Sequence, residues 1–446
     1  MAKDKSRPGL LRSRASGFRT DRSANVAITF ALASIPIVYL AGVGIDFTNA
    51  METQSQLRAA ADAAAIAAVT PAMMAESDAN AIAAATAVFT AKVESMPKLS
   101  FDSKTLNITV QDAGLVRNVT VKWSAGSANN FPSLLSESYW PIGGTSVSSS
   151  TVMPNIDFYV LLDSSPSMAI AGTPAGITTM VNNTQSQGGC AFACHETHPQ
   201  SDNLGNPHGE DNYTLARNLG VTLRIDLLTQ ATENLMSTAQ QTQTANHNTY
   251  RAGIYTFDYN LHTIEPLTSN LGVAQTQASN IEVLEVYDNN CLTSSNCNSD
   301  QDTNFDTALG GINSTMPNPG GGTNTVGDTP QEVLFFVTDG VADYTNSSSC
   351  QEPTTGGRCQ EPIDVSYCTS IKNRGIRIAV LYTEYLPLPT NSWYNSWIAP
   401  FQSTIGSNLQ SCASPGLYFD VQSGGDISAA MTALFQQAVA TARLTQ

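Results

Sequence analysis

The chain has 446 residues, 41% of them hydrophobic and only 13% charged, with a net charge of −16. That length exceeds what a single ordinary core organises, so two or three structural units are expected. A body this acidic repels nucleic acid, which argues against a DNA- or RNA-binding role.

The charge is unevenly spread. Lys3, Lys5, Arg7, Arg12, Arg14, Arg19 and Arg22 face only Asp4 and Asp21 in residues 1–24, leaving that tail at +5 and the remainder at −21. Residues 25–45, NVAITFALASIPIVYLAGVGI, carry no charge. As a helix they would span about 30 Å, the thickness of a hydrocarbon core. The basic flank predicts an uncleaved single-pass anchor with a cytoplasmic N-terminus and the acidic body outside. Pro36 is tolerable inside a bilayer helix. Helix is expected to continue through 46–69, which is rich in Ala and free of Pro and Gly. Met51, Leu57, Ala61, Ala64 and Ala68 form a small-residue stripe that permits close packing, either within the chain or against a partner. Pro71 ends this helix, and a second Ala-rich helix is predicted from Ser77 to Ser95. These helices occupy 46–98, and a small β region with a linker follows at 99–153. There LNITV and RNVTVKW read as a hairpin, and SVSSST as a linker or edge strand.

From 154 to 446 the pattern becomes strands alternating with helices, the signature of a doubly wound, mostly parallel α/β sheet. The predicted strands are IDFYVLL, 249–257, 332–338 and 376–383. The predicted helices are 211–241, 303–315, 365–373, 391–410 and 426–442, with an insertion at 171–210. Ligands in such sheets sit at the carboxyl ends of strands. Asp163 and Asp339 both fall there. Asp163-Ser-Ser165-Pro-Ser167 presents one carboxylate and two hydroxyls on a single turn. A hard cation such as Mg²⁺ takes about six oxygen ligands, so Thr303 and Asp339 from other loops would complete the protein's share. An open position could then accept a partner's carboxylate. FYVLL running into the Asp163–Met168 turn, then TNFDTAL, then VLFFVTDG occur in that order. In this set the chain resembles the von Willebrand factor type A family (a Rossmann-like fold), whose metal-ion-dependent adhesion site uses such an Asp-x-Ser-x-Ser, Thr and Asp. The resemblance implies a divalent cation on Asp163, Ser165, Ser167, Thr303 and Asp339: Mg²⁺ first, Ca²⁺ or Mn²⁺ as alternatives. The family usually has glycines before its Thr, as Gly320-Gly-Gly322 precede Thr323 here. Thr323 is nine residues from Glu332, which leaves no room for the intervening helix, so Thr303 is chosen.

Eight cysteines fall at 190, 194, 291, 297, 350, 359, 368 and 412. Their even number and their absence before 190 suggest disulfides in an oxidising compartment. Local pairs Cys190–Cys194 and Cys291–Cys297 are expected. Cys190, Cys194, His195, His198 and His208 crowd the insertion. They allow three readings: a disulfide-stapled loop, a zinc site, or a variant of c-type haem attachment. No catalytic constellation is visible: there is no Gly-x-Ser-x-Gly elbow, His-Glu-x-x-His helix or phosphate-binding glycine loop.

The whole layout is similar to that of the TadG-like proteins of the bacterial tight-adherence (Flp pilus) system. The likeness rests on DRSANVAITFALASIPIVYLAGVGIDFTNA, on LRAAADAAAIAA, on the Asp163–Met168 turn with CAFACH after it, and on YFD…GGDISAAMTALFQQAVATARLTQ. It implies an inner-membrane, single-pass protein with a periplasmic body. It also implies a non-enzymatic role in Flp pilus assembly or anchoring, with pilus or secretion-machinery proteins as partners. Related TadE-type pseudopilins are processed after a Gly with Glu five residues on. Here Arg22 stands at that offset from Gly17, so no such processing is expected. The alternative is a stand-alone metal-dependent binding module unconnected with pili.

Overall fold

The computed structural model describes residues 22–132, 136–286, 302–345, 350–352, 358–387, 389, 392–422 and 424–442. The chain divides into two compact units between Ser150 and Thr151. The basic tail before Arg22, Gly17 and the Cys291–Cys297 pair lie outside the described residues.

In the first unit, helix α1 (Arg22–Ala67) runs unbroken for 46 residues through Pro36. Its first part is long and apolar enough to cross a membrane, and it leaves Phe30 and Leu40 exposed at 73% and 67%. The environment changes at Asp46, which is buried. Its carboxylate accepts from the backbone N–H of Asn130 (2.7 Å) and Phe131 (3.1 Å). A one-turn helix α2 (Pro71–Met74) and α3 (Asp78–Glu94) follow, the latter capped by the Ser77 hydroxyl. Ala50, Leu57, Ala61 and Ala64 of α1 and Ala68 just after it are buried, as are Ala81, Ala85 and Phe89 of α3. The two helices pack together, so the small-residue stripe serves intramolecular packing. It is offset from the expected one, because Met51 is exposed and Ala50 takes the inward place.

Strands β1 (Leu99–Ser100), β2 (Asn107–Ala113), β3 (Val116–Ala128) and β4 (Tyr139–Thr151) form one sheet. β2 and β3 make the expected hairpin. The Ser-rich stretch is strand, not linker, and pairs with β3. Gly144 lets β4 lie flat on the Trp123 indole, where an added Cβ would stand 3.0 Å from the ring. Arg117 is the polar hub of this unit. Buried itself, it donates to the carbonyls of Met73 (2.6 Å) and Glu76 (3.1 Å) and to the carboxylates of Asp112 (2.8 Å) and Asp78 (3.2 Å). Arg117→Met is expected to cost about 2 kcal/mol, since its partner carboxylates are half exposed and recover solvent. Hydrogen exchange would show this as faster exchange at 73–78 and 112–117; unchanged protection there would count against the role.

The second unit begins with β5 (Ile156–Asp163), every residue of which is buried. Helices α4 (Pro174–Asn183), α5 (Pro199–Asp202) and α6 (Asn212–Asn218) occupy and close the insertion, and α7 (Arg224–Asn246) follows. The single helix expected over 211–241 is thus two. Gly220, at φ +67°, breaks it in a conformation that only Gly adopts cheaply. Next come β6 (Tyr250–Phe257), β7 (Leu261–Thr268), α8 (Leu271–Gln277) and α9 (Phe305–Thr315). The run continues with β8 (Gln331–Thr338), the hairpin β9 (Val341–Thr345) and β10 (Arg358–Pro362), α10 (Val365–Asn373) and β11 (Arg377–Thr383). It ends in α11 (Ser392–Trp397), α12 (Gln402–Cys412), β12 (Tyr418–Val421) and α13 (Ile427–Ala442).

The sheet order is β12-β11-β8-β5-β6-β7. All neighbours are parallel except β7, which runs antiparallel to β6 at the edge. One face carries Phe158, Val160 and Leu162 against α7 and α13; the other carries Tyr159 and Leu161 against α9, α10 and α12. Burial on both faces is why β5 and β8 read as near-continuous apolar runs, with Asp157 and Glu332 the charged residues inside them.

Candidate metal centre

Asp163 ends β5, and its backbone pairs with Phe257 at the end of β6. Next to it, Ser164 donates through N–H (2.8 Å) and Oγ (3.0 Å) to the Phe257 carbonyl. Those bonds turn the chain sharply off the sheet. The Ser165 N–H returns to Asp163 Oδ1 at 2.9 Å, and Thr338 Oγ1 donates to Asp163 Oδ2 at 2.6 Å. Ser165 Oγ and Ser167 Oγ lie 2.9 Å apart. Thr338 immediately precedes Asp339, so the two strand ends meet here. Gly340 follows at φ +82° in a space so tight that a Cβ would stand 2.4 Å from Ile405.

Asp163 and Asp339 are both fully buried. Burial, then the neighbouring Asp339 carboxylate, pushes Asp163 up to about 7. Burial likewise raises Asp339. Asp339 Oδ2 has no hydrogen-bond partner; its nearest cation is Arg224 Nη1 at 3.7 Å, beyond hydrogen-bonding reach. Two crowded carboxylates, two paired hydroxyls and an orphaned oxygen are a hard-donor set, and they fit a divalent cation.

Thr303 is buried at the same end of the sheet. Its N–H and carbonyl pair with the Asp343 backbone at 2.7 and 2.8 Å, and the Asn304 N–H donates to the Asp258 carbonyl. Its loop is therefore stitched between the end of β6 and β9, the strand after Asp339. Thr323 sits elsewhere. Gly322 bonds Asn155, which precedes β5, and the Thr323 hydroxyl is committed to Asp328 Oδ2 at 2.6 Å. That is the amino edge of the sheet, a strand length of about 25 Å from Asp163.

Four residues around the site carry no signal in the sequence. Arg224, buried at the start of α7, points its guanidinium at Asp339. Arg358 on β10 binds Asp302 at 2.9 Å and both oxygens of Asp343. That cluster locks the Thr303 loop to the hairpin, which gives Asp302 a structural task where the family has a glycine. Asp302, Asp343 and Arg358 are far apart in sequence, so no local pattern announces them.

The insertion borders the candidate metal loop. The Ala193 N–H donates to the Ala169 carbonyl at 2.7 Å, and Ile170 bridges Phe192. Its expected disulfide is corrected: Cys190 and Cys194 are free thiols, and Cys190 Sγ faces the Phe192 carbonyl. The backbone between them is spent on pairing with the metal loop, which holds the thiols in place. Among the described residues the bridges are Cys350–Cys359 and Cys368–Cys412. The zinc reading also fails among the described residues, where Cys190, Cys194, His195, His198 and His208 form no converging set of ligand atoms.

His195 instead stacks on Tyr213 and pairs through Nδ1 with Asp211 Oδ2 at 3.0 Å. The Asp211 hydrogen bond raises His195. Burial alone would raise Asp211, but hydrogen bonds from His195, Thr214 and Glu196 hold it at about 2. The two signs define a window. The Asp211 contribution is present above its unfolded value near 4 and is lost as pH falls toward 2. The His195 contribution is complete below about 6.5 and is lost as pH rises through the elevated folded value. His195→Gln should therefore cost most near pH 5–6. Urea unfolding of the variant and the parent across pH 4–9 checks this; a pH-independent difference would be inconsistent with the pair.

Strand order and helices on both faces give a doubly wound α/β domain of the von Willebrand factor type A fold. Residues 24–88 match the family model "Flp pilus-assembly TadE/G-like", which covers the apolar helix and most of α3. No curated protein matches the chain. Among solved structures it is similar to the vWF domain of the type V pili tip protein Mfa5 from Porphyromonas gingivalis (9% identity, TM-score 0.35, 66% of this chain and 97% of that one). It is also similar to BatB from Bacteroides thetaiotaomicron (14%, 0.32, 64% and 100%). A third likeness is to proximal thread matrix protein 1 of the mussel byssus with a zinc-occupied MIDAS motif (12%, 0.31, 64% and 46%). The fold assignment rests on this chain's own topology.

Proposed function

We propose that the chain is a non-enzymatic, membrane-anchored component of Flp (tight-adherence) pilus assembly or anchoring, and that it grips a protein partner through a divalent cation. Asp163, Ser165, Ser167, Thr303 and Asp339 supply the protein ligands, for Mg²⁺ ahead of Ca²⁺ or Mn²⁺. The partner's carboxylate takes the remaining coordination position. The observation that carries this is the pair of buried carboxylates with the orphaned Asp339 oxygen. Buried charge of one sign is expensive unless it is neutralised, and a cation does that. The family match at 24–88 supports the pilus context. Disulfides in the second unit suit an oxidising, periplasmic address with the basic tail in the cytoplasm.

The test is a pull-down from membranes with and without chelator. Identical partners in both would leave the cation without a role in binding. Thr303→Ala beside Thr323→Ala separates the two candidate threonines: the first is expected to weaken Mg²⁺ binding about 10-fold or more and the second to leave it unchanged. The reverse result removes Thr303 from the site.

A second reading is a stand-alone metal-dependent binding module unconnected with pili. It draws on one fact, that the family match ends at 88 and leaves the α/β domain uncovered. A deletion strain with normal surface pili would favour it.

A further inference from the structure

A small cavity opens beside the metal centre, between the ends of β11 and β12 and the start of α7. Arg224, Thr383, Val421, Gln422, Gly424 and Gly425 line it. Two of these residues are polar and buried. The Thr383 Oγ1 has no hydrogen-bond partner, and Thr383 is only 2% exposed. The Arg224 side chain is 7% exposed, and its one hydrogen bond among the described residues is from Nη2 to the Glu384 carbonyl at 3.0 Å. A guanidinium has five N–H donors, so this one is badly under-used for its depth. The cavity also receives the first residues of two long helices, Arg224 of α7 and Ile427 of α13, whose amino ends favour negative charge. Asp426 stands next to Ile427 but is exposed and caps α13 through the Ala429 N–H.

The nearest negative group is the Asp339 carboxylate, 3.7 Å from Arg224 Nη1. Without a cation, Asp339 is the counter-ion of Arg224. A divalent cation on Asp163 and Asp339 would claim that carboxylate and place further positive charge nearby. The buried guanidinium would then have no counter-ion, while an orphaned hydroxyl faces the same void. A buried charge in that state is costly unless an anion joins it.

We propose that Arg224 and Thr383 form a site for one small monatomic anion of chloride class, filled when the cation site is filled. The void is small, with room on the order of 10 Å³, the scale of a single water or monatomic ion and well short of a phosphate or a peptide carboxylate. The anion would accept from the Arg224 guanidinium and the Thr383 hydroxyl. By linkage, chloride and the cation strengthen each other's binding. The linkage rests on the cation reading of the neighbouring site.

The experiment is a Mn²⁺ titration of the full chain in detergent, by calorimetry, in sodium chloride and in sodium gluconate at equal ionic strength. Gluconate is too large to enter. Mn²⁺ is expected to bind about 10-fold tighter in chloride, and Thr383→Val and Arg224→Gln should each shrink that ratio toward one. Thr383→Val is near-isosteric, so it tests the site even if the Arg224 variant folds poorly. Equal Mn²⁺ affinity in the two salts overturns the anion site alone and leaves water in the void. No Mn²⁺ binding in either salt overturns the cation reading and the linkage with it. A chloride preference that survives intact in Thr383→Val places the anion elsewhere and also overturns the assignment.

Discussion

Saturating Mg²⁺ is expected to raise the Tm of the α/β unit by on the order of 10 °C over the chelated protein. A ligand at 1,000 times its Kd contributes about 4 kcal/mol, and a unit of this size gains about 2–4 °C per kcal/mol. The source of the effect is the Asp163–Asp339 pair, both carboxylates fully buried. With Asp163 at about 7, the cation-free protein folds best with that carboxyl protonated. Its unfolded value is near 4, so stability without metal falls as pH rises from there toward 7. The Mg²⁺ increment should therefore grow over the same interval. Asp163→Asn removes one of the two like charges. It is expected to abolish the Mg²⁺ shift without lowering the Tm of the chelated protein. Thermal unfolding with EDTA or Mg²⁺ at pH 5, 6 and 7.5 reads all of these. A parent protein whose Tm ignores EDTA at pH 7.5 would remove the basis for the site.

The second large effect concerns the Cys368–Cys412 bridge. It ties α10 to α12 across 44 residues, with both cysteines buried. Loop-closure entropy for that span corresponds to about 4 kcal/mol, against about 2.5 kcal/mol for the nine-residue Cys350–Cys359 loop. Replacing Cys368 and Cys412 together by Ala should therefore destabilise the unit more than replacing Cys350 and Cys359. The order matters because the shorter bridge lies in the β10 hairpin, whose Arg358 anchors the Thr303 loop. Loss of the short bridge should weaken cation binding more than it weakens the fold; loss of the long one should do the opposite. Urea unfolding and Mg²⁺ titration of the two double variants measure both quantities. Equal losses of stability would mean that loop length does not govern here.

Much of the fold was legible because its signals are local. The uncharged run before Asp46, Pro71 as a stop for the first helix, Ser77 at the start of the second and the near-continuous apolar strands each act within a few residues. The edge strand β7 was not legible. It is half exposed and contains Pro266, so it lacks both the alternation and the apolar run that mark strands. The β9–β10 hairpin was hidden because the sequence between its strands, 346–357, is long and polar, and its pairing is set by Arg358 and the disulfide.

At the candidate site, Asp163, Ser165 and Ser167 were readable as one cluster, because five consecutive residues on a turn can reach one point whatever the rest of the chain does. The sequence also placed Asp339 at a strand end, because the apolar run 333–337 gives out just before it. The choice between Thr303 and Thr323 was arguable from spacing, but the tertiary structure puts them at opposite ends of β5. Arg224 belongs wholly to the tertiary structure. Nothing near it in the chain marks it, and only the docking of α7 on the sheet carries its guanidinium to Asp339. The cysteines teach the same lesson in reverse. Nearness in sequence suggested Cys190 with Cys194, but the backbone between them is spent on pairing with the metal loop. Cys368 and Cys412 meet because two helices pack side by side.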